Sequence, residues 1–197
     1  LEIPLLTIAA YLAGSVNFSI ILFKILGKED PRSQFSGNPG ATNVYRQAGL
    51  IWAIVVLLLD MGRAIAVAIA AIAFLAPQYV PFSGLALILG NRFPCFHGFQ
   101  GGKGVANYLG FTAAITPTAA GLAALAWGLV YAIARKPFLS SFAMVFVLAA
   151  GTMHAYRFEP WAVTGIVATA LLIYVSHKQN VIEWIQSKRD DRRPDSS

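Results

Sequence analysis

Residues 50–75 read LIWAIVVLLLDMGRAIAVAIAAIAFL, with Asp60 and Arg63 the only charges in the run. An apolar stretch of this length exceeds the roughly 20 residues that carry a helix across a bilayer, and an ordinary soluble core has no use for it. It decides the fold class, an all-α integral membrane protein. Working outward, similar runs bounded by Pro, Gly and charge lie at Ile3 to Leu26, Val80 to Pro94, Val105 to Ile115, Pro117 to Ala134, Phe138 to His154 and Trp161 to Ser176. With Leu50 to Leu75 they predict about seven transmembrane helices by the hydropathy criterion. The third and fourth spans are short. Short neighbours around a glycine loop predict a loop dipping into the protein at membrane depth, where it must line a cavity. Residues 1–197 therefore read as a single polytopic domain, with 188–197 as a flexible cytoplasmic tail. The first run follows Glu2, with no basic region before it and no small-residue cleavage pattern, so it reads as a retained helix and not a signal peptide.

Composition agrees, at 57% hydrophobic and only 12% charged residues, far from the soluble average. The placement of the charges sets an orientation. With the N-terminus outside, the connections holding Lys28, Arg32 and Arg46, then Arg92 and Lys103, then Arg135 and Lys136, then Lys178 through Arg193 share one side. The opposite connections hold almost no basic residue except Arg157. By the positive-inside rule the shared side is the cytoplasm, which also receives the C-terminus. The net charge of +6 is dispersed over membrane-proximal loops and lacks a soluble module to present it, so nucleic acid is not an expected partner. Anionic membrane lipids and a phosphorylated substrate are. A lone cysteine, Cys95, excludes an internal disulfide and a Cys-based zinc cluster. No His-Glu-x-x-His motif, paired carboxylates or Cys/His metal spacing occurs, so neither a metal nor a cofactor is indicated.

Two polar, glycine-rich islands interrupt the apolar pattern. In Ser36-Gly37-Asn38-Pro39-Gly40-Ala41-Thr42-Asn43, the glycines allow consecutive N–H groups to face one concavity, and Asn38 before Pro39 is biased to extended backbone. Thr42 or Asn43 is placed to cap a short helix running through Arg46, whose start would favour an anion. An ordinary polar turn uses the same residues. In Gly101-Gly102-Lys103-Gly104, backbone donors and one ammonium suit a phosphate group; equally, the glycines allow tight helix packing and Lys103 snorkels. It is not a Walker A loop, because His97 lies six residues before Lys103 and Gly104 follows it. Asp60 and Arg63 share a helix face and read as a structural pair that also supports the site. His177 and Asn180 repeat the three-residue spacing at the cytoplasmic end of the last span, as ligand contacts or as interfacial residues. Ser140 and Ser141 fit a helix cap as well as a ligand contact. Trp52, Trp127, Trp161 and Trp184 read as an interfacial belt. No Gly-x-Ser-x-Gly elbow occurs, and Ser36 has no His-Asp relay near it in sequence.

Asp30-Pro31-Arg32, then Ser36 through Asn43 with Arg46, then Phe96 through Ala106 (FHGFQGGKGVA), then His177 and Asn180 follow one another along the chain. Together with Gly14-Ser15 and Asp60, this series resembles the bacterial acyl-phosphate:glycerol-3-phosphate acyltransferases of the PlsY type over nearly the whole length. The chain departs from the family pattern at four places: Asn91 where histidine is usual, Gln100 and Arg63 where lysine is common, and Glu183-Trp184 in place of Arg-Leu.

The resemblance implies transfer of a fatty acyl group from acyl phosphate to the 1-hydroxyl of sn-glycerol 3-phosphate, giving lysophosphatidic acid and phosphate at an early step of phospholipid synthesis. It implies a site facing the cytoplasm from the bacterial inner membrane. The His-x-x-x-x-Asp motif of the soluble-type acyltransferases is missing, since Gly102, Glu159 and Ile182 stand five residues after His97, His154 and His177. By resemblance, Lys103, His177 and Asn180 are the catalytic residues. Ser36, Gly37, Asn38, Gly40, Thr42, Asn43, Gly101, Gly102 and Gly104 would hold acyl phosphate, and Arg46, Lys103, Ser141, His177 and Asn180 the glycerol 3-phosphate. The oligomeric state is left open, a monomer included. A transporter of a phosphorylated solute would share a basic glycine-lined cavity, but it should show repeat symmetry and a midplane site. A non-catalytic membrane scaffold would leave both islands unexplained.

Overall fold

The computed structural model describes residues 2–190, which form ten α-helices with no strand among the described residues. The first predicted span is two helices, α1 (Glu2–Ser15) and α2 (Phe18–Ile25). A single helix over Ile3 to Leu26 is therefore corrected. Asn17 makes the break: its side-chain oxygen accepts from the Ile20 N–H at 3.1 Å and caps α2. A short α3 (Ala41–Ala48) leads into α4 (Leu50–Phe74), followed by α5 (Val80–Arg92), α6 (Val105–Ile115), α7 (Pro117–Ala134), α8 (Pro137–Ala155), α9 (Pro160–Ser176) and α10 (Lys178–Asp190). Proline in the first turn opens α5, α7, α8 and α9, where its missing N–H costs nothing.

Each predicted apolar run is helical, but the runs are not seven equal spans. Four are long and apolar enough to cross a membrane: α1 with α2, α4, α7 and α8. A fifth is reached if α9 and α10, which meet at a 46° bend, count together. At about 1.5 Å rise per residue, α5 and α6 reach roughly 20 and 17 Å, well short of a hydrocarbon core of about 30 Å. Lys188, Arg189 and Asp190 of the predicted tail belong to α10, and 191–197 lie outside the described residues.

The helices are small inside and large outside. Along α4 the buried stripe is Ala53, Val56, Asp60, Ala64, Ala68 and Ala71, while Ile51, Ile54, Leu58, Ile69 and Ile72 point outward. Water would reverse that arrangement; lipid permits it, because helices then associate by close packing and not by burying apolar surface. Where α1 crosses α5, a Cβ on Gly14 would run into the Leu87 carbonyl, and one on Gly90 into the Tyr11 carbonyl. Gly110 brings α6 onto the Met61 backbone of α4 in the same way.

The expected Asp60–Arg63 pair is present and buried. One Arg63 amino group donates to Asp60 at 2.9 Å and to Asn107 at 2.6 Å. The other donates to the carbonyl of Val16, one of the groups released where α1 stops, so the break and the ion pair stabilise each other.

Candidate active site

The loop between α2 and α3 is organised by Asp30 and Arg32. The Arg32 guanidinium grips the Asp30 carboxylate at 2.6 to 3.1 Å, and its remaining arm reaches across to the carbonyls of His97 at 2.8 Å and Gln100 at 3.1 Å. A planar fork with donors on two sides joins two loops in a way a lysine would not. The guanidinium holds the Asp30 carboxyl below its ordinary range. Pro31, between them, offers its carbonyl to Asn43 at 2.8 Å and to Gln47 at 2.9 Å, which fixes α3 to the loop. Gly37 takes a positive φ of 63° where the loop turns. Gly40 is the N-cap of α3 and supplies no side-chain bond, so neither Thr42 nor Asn43 caps this helix as expected.

The second loop, between α5 and α6, folds back on the end of α5. The Gly101 N–H donates to the Arg92 carbonyl at 3.1 Å and the Gly102 N–H to the Asn91 carbonyl at 2.9 Å. Any Cβ at Gly101 would strike the Asn91 carbonyl and the Pro94 ring. These glycines thus permit a tight return, and their amides are not free to hold a phosphate as the resemblance implied. Gly104, at φ 84°, heads α6. Beneath both loops lies Asn17, donating from its side chain to the Pro39 carbonyl and from its backbone to His97 Nε2, each at 3.4 Å.

The third wall is the joint between α9 and α10. His177 is buried there, its Nδ1 donating to the Ile173 carbonyl at 2.8 Å, which leaves Nε2 as the free ring nitrogen. Burial holds its pKa down at about 4, so the ring is neutral near pH 7. One turn on, the Asn180 side-chain oxygen accepts from the Lys103 ammonium. The i, i+3, i+4, i+7 series Ser176, Gln179, Asn180 and Glu183 turns one face inward.

Between these walls is a cleft of about 170 Å³ lined by Ser36, Gly37, Asn38, Arg92, Gly101, Lys103 and that face. Half-burial is the main reason the Lys103 pKa falls to about 8; Arg92 and Arg46 push it the same way and Glu183 resists. A polar cleft with two cations and small hydroxyl and amide groups is suited to phosphoryl groups.

Of the predicted ligands, Ser36, Gly37, Asn38, Gly101, Lys103 and Asn180 meet at the cleft. Gly102 and Gly104 stand behind it, Gly40 and the exposed Thr42 at the start of α3, and the exposed Arg46 one turn further along that helix. Asn43 is buried and bonded to Pro31 and Gln34, a brace for the loop and not a lining group. Ser141 gives its hydroxyl proton to the Pro137 carbonyl at 2.9 Å in the first turn of α8, and it does not line the cleft. The sequence reading missed Arg92, Ser176, Gln179 and Glu183 as lining groups. For the last three, the helical spacing from Asn180 was the available signal.

The model of the family described as glycerol-3-phosphate acyltransferase matches residues 4–187. The chain is 43% identical over 178 residues to the glycerol-3-phosphate acyltransferase of Thioalkalivibrio sulfidiphilus, covering 89% of this chain and 87% of that one. It is 37% identical over 195 residues to the one from Neisseria meningitidis, covering 95% of each. Among solved structures it is similar to PlsY (YgiH), an integral membrane glycerol 3-phosphate acyltransferase. With the glycerol 3-phosphate form the TM-score is 0.87 at 32% identity, covering 94% of this chain and 92% of that chain. With the lysophosphatidic acid form it is 0.84 at 31%, over the same shares.

Proposed function

The chain belongs to the glycerol-3-phosphate acyltransferase family, and from that premise we propose that it moves a fatty acyl group from acyl phosphate to the 1-hydroxyl of sn-glycerol 3-phosphate. The products are lysophosphatidic acid and inorganic phosphate. The observation that carries this reading is the Lys103–Asn180 contact, made across a cleft whose opposite wall is Ser36-Gly37-Asn38.

An acyl phosphate is a mixed anhydride with a good leaving group, so orientation and charge stabilisation are the main requirements. In this reading Ser36 and Asn38 hold the phosphate of the donor, with the first-turn N–H groups of Ala41 and Thr42 and those at the start of α6 near Gly104. The acyl tail lies among the helices in lipid. Arg46 and Asn180 hold the phosphate of the acceptor, and Lys103 stands between the two phosphates. The 1-hydroxyl oxygen forms the new C–O bond to the acyl carbon, the bond from that carbon to the bridging phosphate oxygen breaks, and the ammonium of Lys103 stabilises the charge on the departing phosphate. The hydroxyl proton passes to the leaving phosphate. A neutral His177 with Nδ1 committed to Ile173 favours a hydroxyl-orienting role at Nε2 over phosphate binding as a cation.

We further read the seven apolar helices with the N-terminus outside and the cleft opening to the cytoplasm at the bacterial inner membrane, the orientation that the basic residues favour. Within it, α5 and α6 are the short helices that let the second loop dip into the protein and line the cleft. Every group named comes from one chain, so a monomer suffices, and the chemistry calls for no metal or cofactor.

The test is phosphate release by the purified, detergent-solubilised protein given palmitoyl phosphate, with and without glycerol 3-phosphate and with no metal added. Release that requires glycerol 3-phosphate, matched by lysophosphatidic acid and reduced about a thousandfold in Lys103→Ala, is the expected outcome. Folded protein that releases nothing, or releases equally without the acceptor, overturns the reading.

A further inference from the structure

One group in the cleft has the wrong sign for an anion site. Glu183 is the sole acid among the described residues that line it, facing a pocket that also holds Lys103 and Arg92. We propose that Glu183 is an affinity-setting residue, a tethered counter-anion in the cleft with Lys103 that competes with each phosphoryl group entering it; the identity of those groups rests on the acyl-transfer reading above.

Three features support this. Glu183 shares the inward face of α10 with Asn180, the residue that takes the Lys103 ammonium, so one helix lines the cleft with both the acceptor for that cation and a carboxylate. Its carboxylate is steadied from one side, Gln179 Nε2 donating to Oε1 at 3.1 Å, while Oε2 takes no hydrogen bond from the described residues. Its charge acts on Lys103 against the combined push of Arg92 and Arg46. Asn180 gives the half-buried Lys103 ammonium an oxygen but no opposing charge, and Glu183 offsets part of the remaining cost of burial.

A glycerol 3-phosphate dianion approaching Lys103 meets this carboxylate. At separations of several ångströms in a solvent-exposed cleft, one negative charge repels a dianion enough to change affinity about three- to tenfold, less as salt rises. Glu183 is exposed and its carboxylate takes one hydrogen bond, from the equally exposed Gln179, so it can turn aside and the repulsion weakens binding without blocking it. The same repulsion speeds departure of the product phosphate, because a site that holds anions uniformly tighter lowers KM without raising kcat.

Calorimetric titration of the purified full chain with glycerol 3-phosphate and, separately, with inorganic phosphate reads binding, and phosphate release from palmitoyl phosphate reads turnover. Glu183→Gln should tighten both Kd values and lower the KM for glycerol 3-phosphate by about three- to tenfold, the gain shrinking at high salt. Glu2→Gln, the same charge change at the start of α1, should leave all three unchanged. Equal or weaker binding in Glu183→Gln, the same gain in Glu2→Gln, or no measurable binding of either anion to either protein overturns the proposal. If neither protein turns over glycerol 3-phosphate while calorimetry still separates them, acyl transfer is what fails and the counter-anion stands.

Discussion

The helix crossings and the loop end of this molecule are held together by opposite means. At the crossings of α1 with α5 and α4 with α6, backbones touch because Gly14, Gly90 and Gly110 bear no side chain. At the loop end, long polar side chains join separate segments: Arg32 to His97 and Gln100, Asn17 to Pro39, Asn43 to Pro31. The difference teaches which parts determine stability and which determine geometry. Close packing in lipid sets how firmly the bundle holds. Directional hydrogen bonds set where Ser36 and Lys103 stand relative to each other.

Removing a bridge should therefore cost activity far more than stability. Arg32→Ala frees the second loop from the first, and a displacement of about 1 Å between reacting groups is enough to lower kcat/KM about a hundredfold. The melting temperature in detergent should move little, and added guanidinium should restore part of the rate. A melting loss as large as that of a crossing variant, with normal kcat/KM, would break the comparison. The converse variant is Gly90→Ala, which pushes α1 off α5; overpacking of that kind costs about 3 kcal/mol and lowers the melting temperature by roughly 5 °C or more. The fraction that stays folded should keep a kcat near that of the parent protein, measured per folded molecule.

Titration sharpens the same contrast. Lys103 loses its proton as pH rises through about 8, and in the proposed mechanism a neutral amine would no longer stabilise the departing phosphate. The free-enzyme profile of kcat/KM should then fall about tenfold per pH unit above that value. A flat profile to pH 10 would take the ammonium out of the mechanism. The smallest effect expected is that of Ser141→Ala, about twofold or less in either kcat or KM, because this hydroxyl is bonded within its own helix. A tenfold rise in KM for glycerol 3-phosphate would return Ser141 to the ligand set.

Much of this was legible in the sequence, since apolar runs ended by Pro, Gly and charge give the helices almost residue by residue. The break at Val16–Asn17 was not, because it depends on Arg63, 47 residues away, accepting responsibility for one carbonyl. The burial of Asn43 is illegible for a similar reason: which face of the eight-residue α3 is buried is decided by Pro31, outside the helix. Gly101 and Gly102 looked like phosphate donors because local sequence reveals that an amide exists and not that Arg92 and Asn91 already hold it. Glu183 was seen as a departure from a family pattern; only the packed α10 turns it towards the cleft.

The contact between Lys103 and Asn180 also has a consequence in time. Residues 77 positions apart in the chain must meet before the ammonium is held in place. A nascent chain emerging from the ribosome can insert α1 to α8, settle both loops and close the Arg32 bridge while still lacking α10. A chain whose synthesis stops short of α10 would keep both loops and the Arg32 bridge and lack the Asn180 side of the cleft.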